Sequence, residues 1–274
     1  MALLDLPPET VALIIGFLVE EDLPSLIVAQ SVCRYFHAAI QNIFPNPSSR
    51  PGAPDEAREA RIHPLLMSRF NTLFDSANCF PESVKRRFLD EDIYLPFRKL
   101  PWASTEATRA PYLRPEASWR NMSVTWGGPR ITRVDVCAVL TVYGGTSMRY
   151  YQLGLPPAGL TMGLLWDFLL GETSIFNVAT TKWELRLGEH LHSYDEWQEL
   201  SDRASYPSRE SIERLIKGGA EARHSVTLLT FAHMGCTGFS DDDYGDLWCA
   251  EPIGAEKPVL HEWTGTMLPP RRRF

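Results

Sequence analysis

The sequence predicts an α+β protein: three short helices at the N-terminus, a helical and loop-rich middle, then a mixed or antiparallel sheet with packed helices. Two changes of pattern predict this. Apolar residues recur at spacings of three and four through Ile43 and again between residues 65 and 74, whereas beyond Asn121 Val, Thr and aromatic residues form strand-like runs. The stretch Pro45–Pro54 (PNPSSRPGAP) has no apolar face and is rich in residues that fix or break the backbone. These signals divide the chain into an N-terminal unit (1–45), a Pro-rich linker (46–54) and a larger part (55–274), helical over 55–120 and sheet-containing over 121–274. With 274 residues, 44% hydrophobic and 22% charged, there is room for one small and one larger domain.

The first helix should begin near Pro7, because Pro7 and Pro8 suit a first turn and Asp5 and Glu9 put negative charge at its positive end. Val11, Ile14, Ile15 and Leu18 make an apolar stripe, which Phe17 and Val19 widen beyond what a small isolated bundle would bury. Asp22 is a good N-cap for a second helix with Leu23, Leu26 and Ile27 on its apolar side. Val32, Tyr35, Phe36, Ala39, Ile40 and Ile43 carry a third helix up to Pro45. Fewer than about 50 residues seldom bury enough surface to be stable alone, so this trio needs a partner surface, on another protein or on the rest of the chain.

The order Leu6-Pro7, Glu9, Ile14, Leu18, Asp22-Leu23, Leu26, Val32-Cys33 and Phe36 resembles an F-box, the module that docks onto a Skp-type adaptor in a ubiquitin ligase. The resemblance implies a non-catalytic recruiter bound to that adaptor and a cullin scaffold. It places adaptor contacts, or the helices presenting them, at Leu6, Pro7, Ile14, Leu18, Leu23, Leu26, Val32 and Phe36. His63–Phe70 (HPLLMSRF), Pro111–Met122 (PYLRPEASWRNM) and Leu160–Leu170 (LTMGLLWDFLL) are similar to segments of filamentous-fungal F-box proteins whose C-terminal domains have no assigned activity. That likeness supports the domain order and leaves the target protein open.

In the larger part, Asp55–Arg61 should be helical, and Leu65, Leu66, Phe70, Leu73 and Phe74 give an amphipathic helix after Pro64. A short helix is expected at Ser83–Leu89, irregular chain at Asp90–Pro101 and a turn or two of helix at Arg114–Asn121. Met122–Trp126, Ile131–Tyr143 and Met148–Leu153 read as strands in a meander or consecutive hairpins, with glycine turns near Gly127 and Gly144. Leu160–Leu170 is apolar nearly all round and should be a buried helix; Trp183, Leu185 and Leu187 alternate as a strand. Helices are expected at Tyr194–Arg203 and Arg209–Ala222, the second with Ile212, Leu215 and Ile216 inward. Ser225–Phe231 reads as an interior strand, Asp246–Ala250 and Val259–Trp263 as edge strands.

Composition excludes several classes. A net charge of −7 and a pI near 5.5 give no broad basic footprint for nucleic acid, the local cluster Arg271-Arg272-Arg273 notwithstanding. Val11–Val19 is too short to span a bilayer, and acidic Asp5 without a basic leading region argues against a signal peptide, so a cytoplasmic or nuclear protein is expected. Five scattered cysteines (Cys33, Cys79, Cys137, Cys236, Cys249) suit free thiols in a reducing compartment.

Catalytic signatures are absent: no GxSxG, GxxxxGK[ST] or strand-borne GxGxxG occurs, and neither a catalytic residue nor a cofactor is expected. His190 and His192, two apart on a strand, point the same way and with His233, Cys236, Cys249 and His261 downstream form the best metal signal, although no acidic pattern completes a zinc motif. Asp241-Asp242-Asp243 with Asp246 lacks the ligand order of an EF-hand, and a solvated acidic loop is expected. All eight tryptophans lie from Trp102 onward and should mostly be packing residues. Asp241, Asp242, Asp243, Tyr244 and Trp248, acidic and aromatic side by side, are the candidate target-binding surface. Two other readings stay open: a scaffold that binds the adaptor without delivering anything for ubiquitylation, and a metal-dependent hydrolase.

Overall fold

A computed structural model describes residues 6–21, 23–32, 34–43, 61–80, 94–126, 130–142, 145–171, 180–194, 215–233 and 247–267. Helices α1 (Pro8–Glu21), α2 (Leu23–Val32) and α3 (Arg34–Ile43) open the chain. Pro8 starts α1, and the Pro7 carbonyl accepts the Thr10 and Val11 amides at 3.0 and 3.1 Å. Val11 and Ile15 of α1, Leu26 of α2, and Phe36 and Ile40 of α3 are buried together. They are continuous with the main core of the protein, because α1 touches α4 (Pro64–Phe70) and α2 and α3 touch the 3-10 turn Ser118–Asn121. The three helices therefore rest on the chain's own body.

His63 caps α4: its Nδ1 accepts the Leu65 amide at 3.2 Å, and Pro64 fills the first turn, where no amide partner is needed. Leu65, Leu66 and Phe70 point inward. Arg61–Ile62 is a short strand, β1, paired with β2 (Thr125–Trp126), so the helix expected to end at Arg61 does not reach that residue. A second correction concerns Asp90–Pro101, where α5 (Leu95–Arg98) uses Pro96 as a first-turn residue instead of being broken by it. Helix α6 (Glu106–Arg109) carries a reciprocal cap between Thr105 and Thr108.

Among the described residues five strands form the main sheet, in the order β10-β4-β3-β9-β5. Strands β3 (Arg133–Val142) and β4 (Gly145–Leu153) are an antiparallel hairpin closing at Val142 opposite Gly145. The expected meander stops there: β9 (Ser225–His233) lies parallel to β3, and β5 (Thr180–Leu187) and β10 (Leu260–Glu262) add antiparallel beyond β9 and β4. Helix α7 (Met162–Leu170), capped by the Thr161 hydroxyl, which accepts the Leu164 amide at 3.3 Å, joins the core formed with Val134, Val136, Leu153, Leu185, Val226 and Leu228. Cys137, Val139, Leu229 and Phe231 alternate to the opposite face, under Leu191, Leu215 and Ile216. Helices therefore do not cover the sheet alone. The ribbon of β6 (Glu189–Leu191) and β8 (Ile216–Gly218) contributes to the second face, and β7 (Ser193–Tyr194) pairs with β11 (Thr266–Met267).

The helix expected over Arg209–Ala222 gives way to β8 at Ile216, because pairing with β6 leads into Gly218-Gly219, and Gly219 has φ +114°, a conformation closed to a helix. Asp246–Ala250 is not a strand where described; Leu247–Ala250 is irregular chain laid on the core. The linker 46–54, the helix expected at 83–89, the glycine turns at 127 and 144, and Cys33, Cys236, Ile212 and Arg271–Arg273 lie outside the described residues, as does the helix expected over Tyr194–Arg203 apart from Tyr194, which ends a short strand instead.

Four buried indoles fasten the non-repetitive segments. Trp102, Trp119, Trp166 and Trp183 donate their Nε1–H to the carbonyls of Arg69 (3.0 Å), Tyr112 (2.8 Å), Glu251 (3.0 Å) and Leu73 (2.9 Å). Phe70, Phe97 and Tyr112 fill between them, with Trp102 stacked on Tyr112 at 4.4 Å. Beside the cluster, buried Asp167 of α7 pairs with Arg120 (2.6 Å) and accepts the Ile253 and Gly254 amides at 2.8 and 3.1 Å.

Removing the Asp167 carboxylate strands a guanidinium that is 11% exposed together with two amides. Asp167→Ala should lower the unfolding free energy by about 3–5 kcal/mol, read as a drop in the urea midpoint. Burial holds the His63 imidazole down at about 4. The unfolded chain then takes up a proton near pH 6.5 that the folded one refuses, so stability should fall from pH 6.5 to pH 4, by on the order of 3 kcal/mol, and level off below. His63→Asn, which keeps an acceptor at the cap, should flatten that part of a denaturation-versus-pH curve.

Candidate functional site

Helix α1 is apolar on both sides. Val11, Ile15 and Leu18 turn toward the body, whereas Leu13, Ile14 and Phe17, within about 100° of arc on the other side, are 75%, 37% and 66% exposed. Val28 of α2 and Tyr35 of α3 are also exposed. Large side chains left in water along one helix side mark a surface that costs free energy unless something covers it.

The residues singled out by the F-box resemblance divide between inside and outside. Leu26 and Phe36 are buried within the core, Leu6 and Leu18 are partly buried against it, and Pro7 and Ile14 are exposed; Leu23 and Val32 are the first and last residues of α2. Leu26 and Phe36 thus build the helices rather than offering side chains to a partner. Leu13, Phe17, Val28 and Tyr35 are exposed apolar residues outside the set that the resemblance singles out. The sequence signal for a second apolar side was the width of the α1 stripe, which one body-facing side could not absorb.

Of the candidate target-binding residues, Asp241, Asp242, Asp243 and Tyr244 lie outside the described residues, as does Asp246. Trp248 is half-buried: it packs beside Trp102, lies under the Arg109 guanidinium at 5.0 Å and passes its carbonyl to Arg98 Nη1 at 2.9 Å. Its ring packs partly against the core.

His190 and His192 do come together. They line a cavity of about 430 Å³ at the second sheet face, with Arg133, Gln152, Lys217 and Trp263. His190 is directly opposite Lys217 in the β6–β8 register, and the His192 amide bonds the Leu215 carbonyl at 3.0 Å. Arg133 is held by fully buried Asp135, whose carboxylate accepts its Nε at 2.9 Å and the Leu191 amide at 2.9 Å. Burial pushes His190 below its usual range, nearby Arg133 adds to this, and Asp135, Glu221 and His192 make smaller contributions, the first two opposing. Among the described residues no acidic side chain lines the cavity.

A metal would need more. Among the described residues no group of three or more His, Cys, Asp or Glu is placed to hold an ion, and His261 and Cys249 are not part of the cavity lining. No helix among these residues is long and apolar enough to cross a membrane. No family model, curated protein or solved structure matches the chain.

Cys79, Cys137 and Cys249 are free thiols; burial raises Cys79 to about 11 and Cys137 to about 12. Thiolate is the nucleophile, so maleimide should leave Cys79 and Cys137 unmodified in the native protein at pH 7 and label both after denaturation, as peptide mass spectrometry would read.

Proposed function

We propose that this protein is a substrate-recognition subunit of a Skp–cullin–F-box ubiquitin ligase. The outward side of α1, carrying Leu13, Ile14 and Phe17 away from the body, is the observation that favours this reading, because it leaves an apolar surface for a partner on the segment that resembles an F-box. In this reading α1–α3 hold the Skp-type adaptor, which links them to the cullin scaffold, and the remainder of the chain holds a target protein. The subunit contributes position: a target fixed beside a ubiquitin-loaded conjugating enzyme reacts at raised effective concentration, and the F-box protein supplies no catalytic group. Such a complex operates in the cytoplasm or nucleus.

The reading separates contact residues from core residues. A Leu13→Asp/Phe17→Asp double variant should keep the wild-type melting temperature, since both side chains are exposed, yet bind purified Skp-type adaptor at least about tenfold more weakly. Leu26→Asp should instead destabilise the three helices themselves, because Leu26 is 0% exposed. Wild-type adaptor affinity in the folded double variant, measured by calorimetry, would remove the basis for this function.

A further inference from the structure

The cavity beside β6 has features that adaptor docking does not use. Among the described residues its lining brings Arg133, Lys217, His190 and His192 together with the Gln152 amide and no carboxylate. Charge of one sign gathered in a concave site repels itself, and a bound anion relieves that repulsion. Asp135 offsets the Arg133 charge from beneath, wholly buried and with its oxygens taken by Arg133 and the Leu191 amide, so Lys217 is the cation of the lining that no buried carboxylate among the described residues compensates. Glu221 is 3.9 Å from Lys217 but 82% exposed, so water screens it.

The donors are also held in place. Arg133 is fixed on one edge by Asp135 and by the Leu191 carbonyl at 3.3 Å, which ties it across from β3 to β6. His190 Nδ1 is buried and has no hydrogen-bond partner among the described residues, and a buried polar atom without one is costly unless a ligand supplies it. Burial, and to a lesser degree the nearby Arg133 guanidinium, lower the pKa of this imidazole, with Asp135 and Glu221 opposing.

The remaining wall is aromatic. Trp263, whose amide bonds the Tyr150 carbonyl at 3.2 Å, folds its indole over Gly265; a Cβ at that position would fall inside the ring. Gly265 therefore permits the position that the Trp263 ring takes at the cavity wall. We propose that this cavity binds a small organic anion, a carboxylate or phosphate carried on a flat ring, with the anionic group toward Arg133, His190 and Lys217 and the ring against Trp263. Its volume of about 430 Å³ lies in the range of small-molecule sites, roughly 300–1,000 Å³. The site is separate from the α1 face, and the inference stands whether or not α1 binds an adaptor.

Calorimetric titration of the full chain with benzoate, phenyl phosphate, inorganic phosphate and neutral benzyl alcohol tests it. One saturable site is expected for benzoate or phenyl phosphate, the tighter of the two assigning carboxylate or phosphate, and none for benzyl alcohol. Lys217→Gln alters a largely exposed side chain and should weaken the aromatic anion roughly fivefold without changing the melting temperature. Trp263→Leu should weaken the aromatic anion and leave inorganic phosphate unchanged. Absence of saturable binding by both aromatic anions, equal affinity in Lys217→Gln, or benzyl alcohol binding as tightly as benzoate would overturn the assignment.

Discussion

Much of the structure depends on one constraint: large aromatic rings can be buried in quantity only if their polar edges are bonded. Trp102, Trp119, Trp166 and Trp183 each meet this by donating to a backbone carbonyl outside regular pairing, at Arg69, Tyr112, Glu251 and Leu73. Each bond both satisfies an indole and fixes a carbonyl that a short helix, turn or loop would otherwise leave to water. Asp167 does the same with the opposite sign, holding Arg120 and two amides of the 253–254 segment against α7. The middle of the chain, with its single-turn helices and 3-10 turns, is ordered by these bonds to the core more than by its own helical propensity.

The sheet distributes the consequences. Its first face joins the aromatic cluster and, through α4 and the 118–121 turn, the three N-terminal helices in one continuous core. Its second face carries a smaller core of Cys137, Val139, Leu229 and Phe231 under the β6–β8 ribbon. Near the ribbon this face becomes polar: Arg133 and Asp135 of β3 alternate in register with Cys137 and reach β6. A strand pair lying over a charged part of a sheet produces a cavity, whereas the same pair over Val139 and Leu229 packs tightly.

Two surfaces then differ in physical character. The outward side of α1 is apolar, convex and helical, the form that suits another protein's groove. The β6 cavity is concave, lined by Arg133, Lys217, His190 and His192 and walled by an indole, the form that suits a small ligand. They belong to opposite ends of the argument from sequence. Stripe width announced the first, while the second joins residues from β3, β4, β6, β8 and the chain after β10 that no local pattern connects.

By itself the sequence determined the three N-terminal helices, the start of α4 after Pro64, the apolar α7, the β3–β4 hairpin and strand β9, because period and turn residues act within a few positions along the chain, whereas the His63 cap and the change to a 3-10 turn at Asn71 came from the structure. It also made His190 and His192 visible as a pair. Only tertiary structure decided that β9 enters parallel to β3, that Ile216–Gly218 is a strand, and that Arg61 and Pro96 belong to a strand and a helix. It also decided that Leu26 and Phe36 face inward while Leu13 and Phe17 do not, and that the histidine pair meets Arg133 and Lys217 rather than a third metal ligand. The reason is the same in each case. Which side of an apolar element is buried, and which strand lies beside which, depends on surfaces brought together from distant parts of the chain, and local sequence does not record that distance.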